Sequence, residues 1–211
     1  LFDFDGVILE SVDVKGDAFR ELFRDHPAHL EKILDYHYVN GGVSRFRKFR
    51  YIYREILKQP LTDKKFQALC RRFSQLVYQK VLNCPFVPGA LQFLKRYYRR
   101  IPFFIISGTP QKEVEKIVHK RGLSPYFLGI FGSPHTKGYW MKKILRKERL
   151  NTKNAFFVGD SLTDLYAAEE NSVRFIARIA GQRKIFDNKK IYCYIRDFFD
   201  LEAFIKTKLK T

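Results

Sequence analysis

Three cysteines, one methionine and one tryptophan are all that 211 residues offer of those types. Cys70, Cys84 and Cys193 are too few and too scattered for a disulfide framework or a zinc cluster, which points to a reducing, cytoplasmic setting. No apolar run approaches the ~18 residues that a membrane helix needs, and no signal-peptide pattern precedes the first polar turn. The sequence opens at Leu1, without a Met, in what reads as the end of a strand, which leaves room for an upstream stretch, a targeting segment included. Acidic residues are scarce as well: 22 Asp and Glu stand against 40 Lys and Arg, a net charge of +18. Such an excess raises nucleic acid or an anionic surface as a partner before any motif is considered.

Apolar material is plentiful. Hydrophobic residues make up 45% and aromatics 16%, with 21 Phe and 12 Tyr, so the chain has the means to build a core and does not read as disordered. Its length suits one α/β domain of ~100 to 200 residues with a modest insertion. Short β-branched and aromatic runs, at residues 1–5, 102–106, 128–131, 155–158, 173–179 and 191–195, alternate with segments of helical period. That alternation predicts an α/β fold with a parallel sheet. Between the first two runs lie about 70 residues with almost no strand signal, where apolar side chains recur at helical spacing: Ala18, Phe19, Leu22, Phe23, then Phe66, Leu69, Cys70, Phe73, Leu76 and Val77. The stretch reads as a helical insertion, and Pro85, Pro88 and Gly89 mark the return. Residues 198–209 read as a closing amphipathic helix.

In open α/β sheets ligands sit just past the carboxyl ends of the strands, so the turns there carry the functional reading. Asp3 and Asp5 stand two apart and project to one side of their strand, with Gly6 freeing the turn; by itself that pattern is also an ordinary solvated turn. Further on, Ser107-Gly108-Thr109 ends an apolar run and offers a hydroxyl and backbone N–H groups to a phosphate, with a mere helix cap as the lesser alternative for Ser107. Lys137 follows, with Lys142 and Lys143 as neighbouring candidates for its role. Asp160 and Asp164 then follow the run 156–158. Carboxylates and a carbonyl converging on one point suit Mg²⁺, which takes hard oxygen ligands and keeps water and substrate phosphate in its octahedron.

These four motifs, in this order, resemble those of the haloacid dehalogenase superfamily of phosphotransferases, over the whole chain. The resemblance implies a Rossmann-like three-layer αβα core, residues 1–13 and 85–211, with a helical cap at residues 14–84. It implies Asp3 as the nucleophile that forms an aspartyl-phosphate and Asp5 as general acid and then base. It also implies Mg²⁺ held by Asp3, the Asp5 carbonyl and Asp160, with Asp164 in support. Ser107, Lys137 and the backbone at Gly6 and Gly108 would hold the phosphoryl oxygens. His135 is assigned no role.

Within the capped branch the chain resembles the group of phosphoglycolate phosphatases and β-phosphoglucomutases, and Gly42-Val43-Ser44-Arg45 resembles that group's specificity loop. Arg45 would then reach a distal carboxylate or phosphate of the substrate, unless it merely opens a helix. The mutases place a histidine where this chain has Lys15, a departure that favours hydrolysis over phosphomutase activity; Lys15 is read as a contact to substrate or as a solvated helix residue. The segment 41–56 also resembles capped phosphatases of sugar-nucleotide pathways, which suggests a phosphosugar. A small anionic phosphate ester is thus the expected partner.

The competing reading, a basic nucleic-acid binder, rests on the interleaved run from Arg45 to Arg54. Helical spacing weakens it. Phe46, Phe49, Tyr53 and Ile56 fall on one apolar stripe, leaving Arg47, Arg50, Arg54 and their neighbours on the wet side. Fifteen basic against seven acidic residues fall between Lys15 and Cys84, so the excess is shared with the rest of the chain rather than concentrated.

Overall fold

A computed structural model of the chain describes residues 1–180 and 185–209. Residues 181–184 and 210–211, part of the expected core segment, lie outside the described residues. After the first turn the chain enters four helices, α1 (Val12–Leu22), α2 (Pro27–Val39), α3 (Arg45–Tyr51) and α4 (Asp63–Asn83). Local chemistry sets their starts. Pro27 opens α2, where its fixed φ suits a first helical position, and Thr62 caps α4 by accepting from Lys65 N at 3.3 Å. Between α3 and α4 the helix widens into a π-helical turn, Ile52–Ile56, closed by Leu57 N donating to Ile52 O at 2.8 Å.

Phe19 is the hub of this helical stretch, its ring packed against Phe23, Phe49, Phe73 and His37. Arg47, Arg50 and Arg54 are exposed, as their spacing predicts. The apolar stripe is rotated from the expected one, however. Phe46 is only half-buried, whereas Arg45 and Lys48 are turned inward with Phe49, Ile52 and Tyr53. The neighbours of the exposed arginines therefore do not all lie on the wet side, because the buried face includes two cations at i and i+3. Tyr51, partly exposed, has one ring face stacked on Tyr36 at 4.1 Å.

Two adjacent passes connect this stretch to the sheet: Leu9 bridges Phe86 in antiparallel fashion, and Val87 N donates to Ile8 O at 3.1 Å. Beyond α5 (Ala90–Tyr97) come β1 (Phe104–Pro110), α6 (Gln111–Lys120), β2 (Gly129–Ser133), α7 (Lys137–Lys147), β3 (Phe156–Gly159), α8 (Leu162–Glu170), β4 (Arg174–Arg178), β5 (Cys193–Ile195) and α9 (Phe198–Leu209). β1 pairs with β2, β3 with β4 and β4 with β5, all parallel. The N-terminal segment fills the gap, since Phe2 bridges both Ile105 and Val158 in parallel. Across the sheet the order is β2, β1, residues 1–3, β3, β4, β5.

Alternation along the strands feeds two cores. Ile105, Val158 and Ile176 join one core with Phe93 of α5, Val118 of α6 and Leu201 of α9. Phe104, Phe157 and Phe175 join the other with Met141 of α7 and Leu165 of α8. This is the expected three-layer arrangement. Several boundaries differ, and β2 runs on through Gly132 and Ser133 past the expected end at 131. β1 continues through Ser107-Gly108-Thr109 instead of ending before it, because Pro110 still pairs with Ser133 after a register shift, and residues 1–5 contribute isolated bridges rather than a continuous strand.

Candidate active site

Residues 1–3 lie between β1 and β3, where neighbouring strands lead away to opposite sides, and such a switch point opens a crevice at the carboxyl ends. Asp3 lies at its floor, 3% exposed. One carboxylate oxygen accepts from Phe4 N at 2.7 Å and the other lies 2.7 Å from Lys137 Nζ. Lys137 is the first residue of α7 and reaches across to Asp164 as well, at 2.5 Å. Burial alone would lower the Lys137 ammonium, but Asp164 and Asp3 hold it above its ordinary value. Lys142 and Lys143 are exposed on the same helix. Asp164 is fully buried in α8, and its second oxygen accepts from Ser161 N at 3.2 Å in a capping box.

Three carboxylates, those of Asp3, Asp160 and Asp164, bring oxygens within 4.8 Å of one another. Like charges at that spacing resist ionising together. Burial, then Asp164, push the Asp160 carboxyl up to about 7, and burial with the neighbouring aspartates pushes Asp3 well above its usual range despite Lys137. Hard oxygens short of positive charge are a donor set that fits Mg²⁺. Gly6, at φ +75°, carries the chain past them, and a Cβ there would collide with the Asp160 carboxylate.

Asp5 is held differently. It accepts from Ser11 Oγ at 2.6 Å and Thr109 Oγ1 at 3.0 Å, and it is ion-paired with Lys15, which also donates to Thr109 Oγ1 at 2.9 Å. Burial would raise its pKa, but Lys15 and these donors together keep Asp5 below the usual carboxylate value. Lys15 of α1 is therefore directed into the crevice, on an aspartate. Ser107 is buried, and its Oγ accepts from Thr109 N at 3.1 Å.

The helical stretch roofs the crevice. Thr163 Oγ1 donates to Gly41 O at 2.7 Å, and a Cβ on Gly42, where φ is +73°, would clash with Thr163 and approach Lys137 Nζ to 3.0 Å. Beneath the roof is a cavity of about 390 Å³ lined among others by Asp3, Asp5, Lys15, Arg45, Lys48 and Gly108. A second cavity, of about 190 Å³, is lined by Ser107, Lys137 and His135, and shares Gly42, Val43 and Gly108 with the first. Ser133 Oγ, buried and without a hydrogen-bond partner among the described residues, lines it too.

Arg45 lines the larger cavity, but its donors are engaged: it donates to Ser74 Oγ at 2.7 Å, pairs with Glu113 of α6, and lies 4.4 Å over the Phe73 ring. Several residues around the site carried no signal in sequence reading. Thr109 was quoted only as part of a turn. Arg178, at the end of β4, holds Gly6 O at 2.9 Å and Glu10 Oε2 at 2.8 Å, steadying the first turn from 170 positions away in sequence; no local motif marks it. Lys48 and His37 were also missed, because helical spacing placed Lys48, a neighbour of Arg47, on the wet side, whereas it is buried with Phe49 and Ile52.

The haloacid dehalogenase-like hydrolase family model matches residues 1–178. Phosphoglycolate phosphatase 1 of Pseudomonas aeruginosa is 25% identical over 190 residues, covering 86% of this chain and 69% of that protein. A hydrolase from Pseudomonas syringae superposes with a TM-score of 0.79 at 17% identity, over 98% of this chain and 96% of that one. The HAD-hydrolase YfnB from Bacillus subtilis, solved bound to magnesium, gives 0.72 at 17% identity over 97% and 96%. At those identities the two structures establish a common fold. Among the described residues no helix is long and apolar enough to cross a membrane.

Proposed function

The chain belongs to the haloacid dehalogenase-like hydrolase family, and on that premise we propose that it is a Mg²⁺-dependent phosphatase, hydrolysing a small phosphate monoester through an aspartyl-phosphate. The observation that carries the reading is the cluster of Asp3, Asp160 and Asp164 around one buried lysine at the carboxyl ends of the central strands. The name of the Pseudomonas aeruginosa relative supports a phosphoglycolate-like or phosphosugar substrate. In this proposal residues 14–84 act as the cap and residues 1–13 with 85–211 as the core.

Asp3 attacks phosphorus; a bond forms between its carboxylate oxygen and phosphorus while the bond to the leaving oxygen breaks. Asp5 gives that oxygen a proton, then takes one from the water that attacks the aspartyl-phosphate, releasing inorganic phosphate and restoring Asp3. Ser107, Lys137 and the backbone N–H groups at Gly6 and Gly108 receive the phosphoryl oxygens. Asp3, Asp160, the Asp5 carbonyl and Asp164 would hold Mg²⁺, which supplies the positive charge that lets neighbouring carboxylates ionise and an anionic nucleophile meet an anionic phosphate. Lys15, on Asp5 in the unliganded protein, has to release it before Asp5 can act as an acid. The Gly42 carbonyl lies so close to Gly108 that a Cβ there would meet it at 2.1 Å, so the roof loop covers this edge of the site.

The test is a panel of phosphate monoesters with Mg²⁺, read as inorganic phosphate released. Asp3→Asn is expected to lose at least about 10³-fold in kcat, together with the acid-stable, phosphate-labelled protein expected on quenching the wild type. A variant that keeps turnover rules out Asp3 as nucleophile. Phosphate transferred to a second sugar hydroxyl, with none released, would favour a phosphomutase.

A further inference from the structure

Five Lys and Arg side chains border the two cavities under the roof; Arg47 is exposed to water, and of the other four three are matched by carboxylates. Lys15 is paired with Asp5, Arg45 with Glu113, and Lys137 with Asp3 and Asp164. Lys48 is the exception. It lies on α3 at 3% exposure, and its ammonium donates to His37 O at 2.8 Å and lies 3.0 Å from His37 Nδ1. Among the described residues no carboxylate is within ion-pair distance of it. Burial, the positive charge of Lys15 and, less strongly, that of Lys137 bring its pKa down to about 7, with Asp160 pulling the other way.

An ammonium buried against neutral partners is costly. A lysine that served only to bond the last carbonyls of α2 would do so with its charge in water. Lys48 is instead turned into the cavity whose floor carries Asp3 and Asp5. Arg45, the residue the specificity loop suggests for reading a distal anion, has its guanidinium committed to Glu113 and Ser74.

We propose that Lys48, backed by His37, receives a second anionic group of the substrate, a carboxylate or phosphate on the arm remote from the scissile phosphoryl group, and so sets a preference for doubly anionic monoesters. The assignment rests on the phosphatase reading and deepens it. Substrate anion and Lys48 complete an ion pair that the protein leaves half-built, and Lys48 belongs to the roof, so pairing also favours closure over the bound ester.

The experiment compares kcat/KM for matched esters: 2-phosphoglycolate against 2-hydroxyethyl phosphate, and a sugar bisphosphate against its monophosphate. The two pairs separate a carboxylate arm from a phosphate arm. In the wild type the doubly anionic member of one pair is favoured at least tenfold. Lys48→Gln, which keeps a donor for His37 O and removes the charge, is expected to reduce that ratio by about 10- to 100-fold, and Lys48→Arg to recover part of it. A folded Lys48→Gln protein with the wild-type ratio overturns the proposal. So does a wild-type ratio near one in both pairs, a measurement that needs no variant to fold. A wild type inactive on every monoester overturns the phosphatase reading itself and removes the ground for this assignment.

Discussion

Lys137 and Lys48 are buried to nearly the same degree, 6% and 3% exposed, on the two sides of one site. Their surroundings are opposite. At the sheet end Lys137 stands between Asp3 and Asp164, and those two carboxylates outweigh burial and hold its proton. On the helical side Lys48 has a carbonyl and an imidazole, and burial brings it down to about 7. A buried lysine with fixed carboxylates is part of the scaffold's own charge balance; one without them is a half-built ion pair. The contrast divides the site into a floor set for the phosphoryl chemistry and a roof whose charge is left for a ligand.

The largest expected effect breaks that contrast directly. Lys137→Met leaves Asp3 and Asp164 uncompensated and should cost about 3–5 kcal/mol in urea unfolding of the metal-free protein. Lys48→Met should not follow it. The folded value of Lys48 lies below the unfolded one, so between about 7 and ~10.5 the unfolded chain holds a proton the folded chain has lost, and wild-type stability rises with pH there. Relative to wild type, Lys48→Met is therefore most favourable below pH 7 and loses that advantage as pH rises. Equal losses for both variants, independent of pH, would erase the distinction.

Metal sharpens the floor half. Asp160 sits at about 7 in the fold against an ordinary ~3.8, so the folded state keeps a proton across that window that the unfolded chain gives up. Stability of the metal-free protein from this group is full below the lower value and lost as pH rises through 7. Mg²⁺ at 100 times its Kd should add about 2.7 kcal/mol, seen as a rise in Tm that is larger at pH 8 than at pH 5 and absent in Asp160→Asn. An equal rise at both pH values would argue against Asp160 as a ligand.

The smallest effect concerns why the roof relies on Lys48 rather than Arg45. A double-mutant cycle of Arg45→Ala and Glu113→Ala should show a coupling of about 1–2 kcal/mol. Glu113→Ala alone frees the guanidinium and should raise the preference for doubly anionic esters by less than tenfold. Additive effects in the cycle would mean that Arg45 is not committed to Glu113.

Most of the floor was legible in the sequence because each part is local. An apolar run ending in Asp3-Phe4-Asp5-Gly6, or in Gly159-Asp160, states its own strand end and turn within a few residues, and the run before Ser107 states its strand, although there the pairing carries on to Pro110. Lys137 could be chosen over Lys142 and Lys143 from spacing, and its position at the first turn of α7, with the other two exposed, explains the choice. The roof was less legible. Helical period identified Phe49, Tyr53 and Ile56 as buried, but it left Lys48, a neighbour of Arg47, on the wet side, since a lone cation beside an apolar face is ordinarily solvated.

The net +18 shows the same limit. Composition alone invited a nucleic-acid partner, whereas Arg45, Lys48, Lys137 and Arg178 are all buried, Lys48 against His37 of the preceding helix and the other three against partners from distant parts of the chain. By itself the sequence determined the α/β alternation, the long helical stretch and the four strand-end motifs, because periodicity and turn chemistry act over a few neighbouring residues. Only the tertiary structure decided which charge each carboxylate meets: Asp5 with Lys15, Glu113 with Arg45, Glu10 with Arg178, and none for Lys48 among the described residues. Those pairings depend on how segments 68 or 168 residues apart in sequence meet around the crevice, and burial makes the charge pattern there count for far more than the total.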